Sequence, residues 1–319
     1  MASPPSTFVL PSIYSRSMSI VAVGSIALDT IKTPFGQADE VVGGSLTYFA
    51  VAASYFTDVN LVAVVGGDFN EQHMQVFAGR RIDLQGLEHA RGKTFRWGGE
   101  YSYNLNSRET LFTDLNVFER FQPVLPDSYR EADIVFLGNM HPSLQLGVLD
   151  QVTSKRIVGM DSMNLWIETT PKELREVLKY ADILKVDDAE ARQLSGEYNL
   201  RKAAAVIQKM GPSMLVATRG SHGSMLFNED DIFAVTAYPL EDEVDPTGAG
   251  DSFAGGFFGY LAQKPALDQA TLRRAVIFGS VMGSFCVEDF GTRRLERLSF
   301  DEILDRYRGI KQLTHFEDL

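Results

Sequence analysis

The sequence predicts an α/β domain: a central, mostly parallel sheet with helices on both faces, and a small β-sheet lid set into it. Three observations carry that prediction. Short, nearly continuous apolar runs rich in Val, Ile and Leu alternate with helical patterns along most of the chain, as expected of strands buried on both faces. One stretch, "TFRWGGEYSYNL", instead alternates strictly, which marks a strand with a single covered face. A cluster of glycines and acids, "DPTGAGDSFAGGF" at residues 245–257, stands directly before an apolar helix.

Taken in chain order, the first 18 residues hold three prolines and five serines and no continuous apolar core, so they read as a disordered tail rather than a signal peptide. Met18 stands immediately before the first strand and offers an alternative start. Strands are expected at Ile20–Val23, Leu61–Val65, Ile134–Leu137, Ile157–Met160, Ile183–Val186 and Met214–Ala217, with helices at Ser45–Phe56, Glu71–Arg81, Pro171–Lys179 and Leu200–Met210. Parallel sheets of this kind bind ligands beyond the carboxyl ends of their strands. In the alternating stretch Phe95, Trp97, Tyr101 and Tyr103 fall on one side, and Arg96, Glu100, Ser102 and Asn104 on the other. "RETLFTDLNVF" is its expected antiparallel partner. Two strands alone are marginal in water, so a further strand near Thr30–Val42 is expected to join them. No repeat or low-complexity linker interrupts the pattern. The reading is one domain over residues 19–319, with the lid drawn from about 30–42 and 93–120. Its aromatic face would suit either a substrate or a second copy of the chain, so a homodimer through the lid is an expectation.

Composition narrows the function. A chain that is 45% hydrophobic and 23% charged is of ordinary globular type. Thirty basic residues against 42 acidic ones, a formal charge of −12 and no Lys/Arg-rich run disfavour a nucleic-acid partner. Cys286 is the only cysteine, so intrachain disulfides and CxxC sites are excluded, which fits a reducing, cytoplasmic setting. No apolar run reaches the length of a membrane span. His73, His89, His141, His222 and His315 show no metal-ligand spacing, and no GxSxG elbow occurs.

The glycine cluster carries the chemistry. It is not a dinucleotide fingerprint, because Phe253 occupies the third glycine position, and it lacks the Gly-Lys-Ser/Thr of a phosphate-binding P-loop. The "GLEHARGKT" stretch at 86–94 fails too, with five residues between Gly86 and Gly92 where four are required. What remains is Gly248, Ala249 and Gly250 opening a helix. Backbone amides converging at a helix start bind anions, and Asp251 follows at once. An acid beside an anion cradle makes sense if it serves the nucleophile: phosphoryl transfer to an alcohol needs a base for the hydroxyl proton and donors for the phosphoryl charge. The plainer alternative is a helix-start carboxylate with glycines that only permit tight packing.

This stretch closely resembles the second signature of the ribokinase-like (PfkB-type) carbohydrate and nucleoside kinases, and the resemblance runs from about residue 19 to 310. It implies a ribokinase-like fold and ATP-dependent transfer of a phosphoryl group to a hydroxyl, with Asp251 as catalytic base and Gly248, Ala249 and Gly250 as anion hole. Asp245 and Thr247 match positions that often lie near a monovalent cation such as K+. "GSIALDTI" resembles the family's opening strand and places Asp29 on acceptor hydroxyls. "VVGGSLTYFAVAAS" resembles the di-glycine loop, with Gly43 and Gly44 letting substrate approach the backbone. Tyr48 stands where ribokinase-type members usually have a sugar-contacting asparagine, so an inositol, a nucleoside or another polyol becomes an alternative to ribose.

"VDDAEARQLSG" resembles the family's Asn-x-x-Glu element, with Asp187 in place of the asparagine and Glu190 in register. It implies a water-clad Mg2+, although the same residues also read as the acidic first turn of a helix. "GMDSMNLW" places Asp161 and Asn164 near a family turn. "VATRGSHGSMLF" resembles the ATP loop through Thr218, Gly220 and Gly223, with Arg219 either on a phosphate or at the surface. "RRAVIFGSVMGSFCVEDFG" resembles the adenine-flanking helix, with contacts expected from Ala275, Gly279 and Ser280. The expected activity is a kinase for a small sugar or polyol, the alternatives being a nucleoside kinase or a non-catalytic sugar- or nucleotide-binding sensor.

Overall fold

The computed structural model describes residues 18–105, 107–229 and 231–317, so the expected tail, apart from Met18, lies outside them. Met18 itself is buried, and its N–H donates to Ala262 O at 3.0 Å. Met18 thus packs with the domain expected from residue 19 onward.

The strands are β1 (Ile20–Val23), β2 (Ala27–Thr33), β3 (Gly36–Gly43), β4 (Val59–Val65), β5 (Ile82–His89), β6 (Phe95–Tyr101), β7 (Arg108–Asp114), β8 (Ile134–Leu137), β9 (Ile157–Asp161), β10 (Ile183–Asp187), β11 (Met214–Thr218), β12 (Ser224–Asn228) and β13 (Asp231–Val235). The helices are α1 (Ser45–Ala53), α2 (Glu71–Met74), α3 (Pro142–Leu149), α4 (Asn164–Thr169), α5 (Pro171–Leu178), α6 (Asp188–Ser195), α7 (Leu200–Gln208), α8 (Ala249–Leu261), α9 (Gln269–Cys286), α10 (Arg293–Glu296) and α11 (Phe300–Thr314).

Nine strands form the main sheet in the order β13-β12-β11-β10-β9-β8-β1-β4-β5, parallel from β11 to β5 with β12 and β13 antiparallel at one edge. Alternate residues of one strand enter two different cores. Ile20 and Ala22 of β1 join the α1, α8 and α9 side, while Val21 and Val23 join the side of α5 and α7. That double burial is why these strands read as continuous apolar runs. The chain leaves β1 toward β4 and β5 on one side and returns through β8 on the other, so strand order reverses beside β1. Ligand crevices open at such a reversal.

The lid is a four-stranded sheet in the order β3-β2-β6-β7. β6 and β7 pair antiparallel as expected, and β2 runs parallel to β6. The further strand expected near 30–42 is two strands: β2 carries Asp29 and β3 leads into Gly43–Gly44. One expected helix is much shorter. Of 71–81 only α2 and a 3-10 turn at Gln75–Phe77 form, because buried Val76 and Phe77 anchor the chain and Gly79, at φ 69°, turns it away. Among the described residues no helix is long and apolar enough to cross a membrane.

Candidate active site

The loop before α8 turns through Gly248 at φ 76°. A Cβ there would also lie 2.3 Å from the Tyr48 ring, so backbone conformation and space both require glycine. The turn aims the start of α8 into a cavity of about 960 Å3 at the carboxyl ends of β1, β8, β9, β10 and β11. The Gly248, Gly250 and Asp251 amides have no acceptor among the described residues, whereas Ala249 N–H donates to Pro246 O at 3.2 Å. Of the three residues expected to form an anion hole, Gly248 and Gly250 thus keep a free amide and Ala249 does not, while the Asp251 amide is free as well. Gly255 and Gly256 face protein, not ligand. Added Cβ atoms would meet Phe49 O of α1 and Phe278 O of α9, so these glycines let α8 pack between its neighbours.

Asp251 is half-buried and lines the cavity. Burial pushes its carboxyl up to about 7; Asp161 adds to the rise and Lys185 opposes it. Across the cavity Asp29 is buried and likewise raised to about 7, by burial first, against a Gly44 N–H that donates to Oδ2 at 3.3 Å. Gly43 does not line the cavity. An added Cβ would sit 1.9 Å from Asp29 Oδ2, so its missing side chain makes room for the Asp29 carboxylate rather than for substrate directly. Tyr48 lines the cavity as expected, with its ring beneath Gly248 and only 1% of the residue exposed.

Lys185, buried near the end of β10, pairs with Asp161 of β9 at 3.0 Å. Its Nζ lies 2.7 Å from where a Gly250 side chain would begin, so the ammonium faces the anion cradle. Burial alone would lower the Lys185 pKa, but the carboxylates of Asp161, Asp251 and Glu190 outweigh it and hold the group charged. The helix-start reading of the acidic element holds. Asp187 Oδ1 accepts from Glu190 N at 2.7 Å and Glu190 Oε2 accepts from Asp187 N at 2.9 Å, closing a capping box at the start of α6. Both acids also line the cavity. Burial and the Asp187 charge raise Glu190 to about 7.

Asp245 is fully buried; its two oxygens accept from Thr247 N at 2.8 Å and Gly291 N at 3.1 Å. Thr247 Oγ1 donates to the Tyr101 hydroxyl at 3.0 Å. Protein hydrogen bonds thus hold both residues expected near K+.

Thr218, Gly220, Gly223 and Ser280 line the cavity, with Ser280 Oγ 3.2 Å from Ser224 Oγ. Ala275 and Gly279 do not, which corrects two expected contacts. Ala275 is fully buried in the core, and Gly279 packs against Phe253. The face of α9 and its end that reaches the cavity is Ser280, Gly283, Ser284 and Val287, spaced i, i+3, i+4, i+7. Arg219 is not among the lining residues.

Sequence reasoning missed three further contributors. Lys185 was legible as a lysine inside the apolar run "ILKVD", since such a residue is rarely buried without a partner. Arg108, from the lid strand β7, lies over Trp97 with its Cζ 5.0 Å from the ring centroid and acts on both Asp29 and Asp251. Asn139, after β8, accepts from Trp166 Nε1 at 2.8 Å, fixing an amide beside an aromatic wall.

A nested cavity between lid and sheet, with an acid at a helix-borne anion cradle and a second acid across from it, defines a phosphotransferase acting on a hydroxyl of a small molecule. The pfkB family carbohydrate kinase profile matches residues 19–297, and the chain belongs to that family. It is 27% identical to a cytidine kinase of Thermococcus kodakarensis over 256 residues, 78% of this chain and 90% of that protein. The fold is shared with a nucleoside kinase of Methanocaldococcus jannaschii, described as an archaeal member of the ribokinase family, at TM-score 0.74, 20% identity and coverage of 92% and 98% of the two chains. It is equally shared with Arabidopsis thaliana ribokinase, solved with ribose and ATP, at TM-score 0.74, 18% identity and coverage of 92% and 99%.

Proposed function

We propose that this chain is an ATP- and Mg2+-dependent nucleoside kinase, with Asp251 as base. One observation carries the catalytic part: Asp251, Lys185 and the amides at the start of α8 converge in one cavity, opposite Asp29. Asp29 accepts from acceptor hydroxyls, as a carboxylate can from two neighbours. Asp251 takes the proton of the attacking hydroxyl as its oxygen bonds to the terminal phosphorus of ATP. The bond from that phosphorus to the bridging oxygen breaks, and ADP leaves with the electron pair. Cradle amides and Lys185 balance charge on the moving phosphoryl group. Asp187 and Glu190, two carboxylates lining one wall, suit a water-clad Mg2+, which when bound neutralises phosphate charge.

The sequence put a free sugar or polyol first. An aromatic wall now favours the nucleoside: Trp97 and Phe118 from the lid side and Trp166 after β9 line the same cavity as Asp29, a surface for a flat base more than for a bare sugar ring. The cytidine kinase and nucleoside kinase relatives support the same reading. The test is ADP release from ATP with cytidine, adenosine, inosine, ribose, fructose and myo-inositol. Nucleosides should give the highest kcat/KM, and a free sugar exceeding them would overturn that choice. Asp251→Asn should abolish turnover of the best acceptor while ATP affinity stays within about threefold; retained kcat would remove the base assignment.

A further inference from the structure

Tyr101 ends β6 at the inner rim of the lid, and its hydroxyl leaves the lid sheet to meet the loop ahead of α8. Thr247 Oγ1, one residue before the turn at Gly248, donates to it at 3.0 Å. Across the β6–β7 ladder Tyr101 pairs with Arg108, whose guanidinium acts on the same hydroxyl. The ring is 8% exposed and packs with Ile31, Ala38 and Phe290, so the hydroxyl is presented by an anchored side chain. Thr247 is fixed from below. Its N–H donates to Asp245 Oδ1 at 2.8 Å, its carbonyl accepts from Cys286 Sγ at 3.3 Å, and Asp245 Oδ2 is held by Gly291 N–H at 3.1 Å. An unbroken chain of contacts thus runs from the lid strands through Thr247 to the backbone that forms the anion cradle.

We propose that Tyr101 is a positioning residue whose hydroxyl latches β6 and β7 to the turn carrying the anion cradle, so that lid placement and cradle geometry are set together. The catalytic half of this inference rests on the kinase reading above; the latch itself does not. A latch of this kind ties water exclusion to assembly of the phosphoryl site, which is what a kinase needs to avoid hydrolysing ATP when no acceptor is bound.

The test compares the native full-length chain with Tyr101→Phe, Thr247→Val and the double variant. Hydrogen–deuterium exchange, read by mass spectrometry without substrates, should be roughly fivefold faster in peptides covering β6 and β7 in each single variant, no faster in the double, and unchanged in β8 and β9. For any acceptor that releases ADP, kcat should fall about fivefold to tenfold in each variant with KM for ATP within about twofold, and the double should equal the singles. Lid exchange within about twofold of the native chain overturns the latch. So does equal acceleration in β8 and β9, which marks a merely structural hydroxyl, and so do kcat losses that multiply in the double variant. If no acceptor is turned over, the kinase reading fails while the exchange measurement still decides the latch.

Discussion

Replacing Lys185 by methionine removes the ammonium that faces Asp161 while keeping a long side chain in β10. The two groups are 3.0 Å apart, with 9% of the lysine and 5% of the aspartate side chain exposed. Truncating one partner of such a pair costs about 3–5 kcal/mol, because the survivor is left as an uncompensated buried charge. Asp161 can relieve that by taking up a proton, which from an ordinary value of ~3.9 costs about 1.36 kcal/mol per pH unit, or about 4 kcal/mol at about pH 7. The two routes agree in size, and the second fixes a sign. In the variant, Asp161 is protonated when folded and ionised when unfolded between about pH 4 and its raised folded value, so stability falls as pH rises through that window. The loss relative to the native chain should therefore shrink as pH falls from about 7 to about 5. Asp161→Asn combined with Lys185→Met leaves no charge and should recover most of the deficit. Urea unfolding followed by far-UV circular dichroism at both pH values measures this. A Lys185→Met chain within about 0.5 kcal/mol of native at neutral pH, or one equally destabilised at both values, would refute the reasoning.

Two further outcomes follow from the same site. Asp251 and Asp29 are both raised to about 7, and in the proposed reaction each works as a carboxylate, so log kcat/KM should climb with pH below about 7, with a slope above one, and level off beyond it; a profile flat from about pH 5 to about pH 8 would contradict both roles. Glu190→Gln keeps a side chain that can close the capping box with Asp187 but removes a charge, so melting should shift by no more than about 2 °C while half-maximal rate requires several-fold more Mg2+; an unchanged Mg2+ titration would take Glu190 out of the metal role.

How far the sequence revealed all this depended on whether a feature was local. The runs that became β1, β8, β9, β10 and β11 were legible because burial on both faces leaves them apolar throughout. β5 was not, because it is an edge strand whose residues are half-buried or exposed. The β12–β13 hairpin sat unnoticed behind the ATP-loop motif, its turn running through Glu229 at φ 46°. In the site, Asp29 and Asp251 stood out because each sits inside a contiguous motif. Arg108 did not, since its meaning depends on residues brought close from distant strands, and Lys185 offered only the hint of a lysine inside an apolar run. Ala275 and Gly279 failed for another reason. A largely apolar helix offers several faces; Ala275 is buried in the core and Gly279 packs against Phe253 of α8, away from the cavity. The stripe Ser280, Gly283, Ser284 and Val287 was the readable signal, because small polar residues at helical spacing interrupt an otherwise apolar surface.

The behaviour of the acid at the start of α8 follows from its burial and from the charges around it. Asp29, Asp161, Asp187, Glu190 and Asp251 line the cavity against Lys185 and Arg108, and the chain as a whole carries −12. Neither local nor long-range charge draws a naked triphosphate in. Three of those acids, Asp29, Glu190 and Asp251, rise to about 7 through burial first, with neighbouring carboxylates adding to the rise, so near neutral pH the site without ligands carries less negative charge than its composition suggests. Burial is the first cause of the Asp251 rise, and the Asp161 and Asp29 charges add to it. A carboxyl at its ordinary value is too weak a base to take a proton from an alcohol efficiently, and one raised toward the working pH is matched to the task. Removing a neighbouring acid would ease phosphate entry and weaken the base together, so the two properties cannot be improved independently at this site.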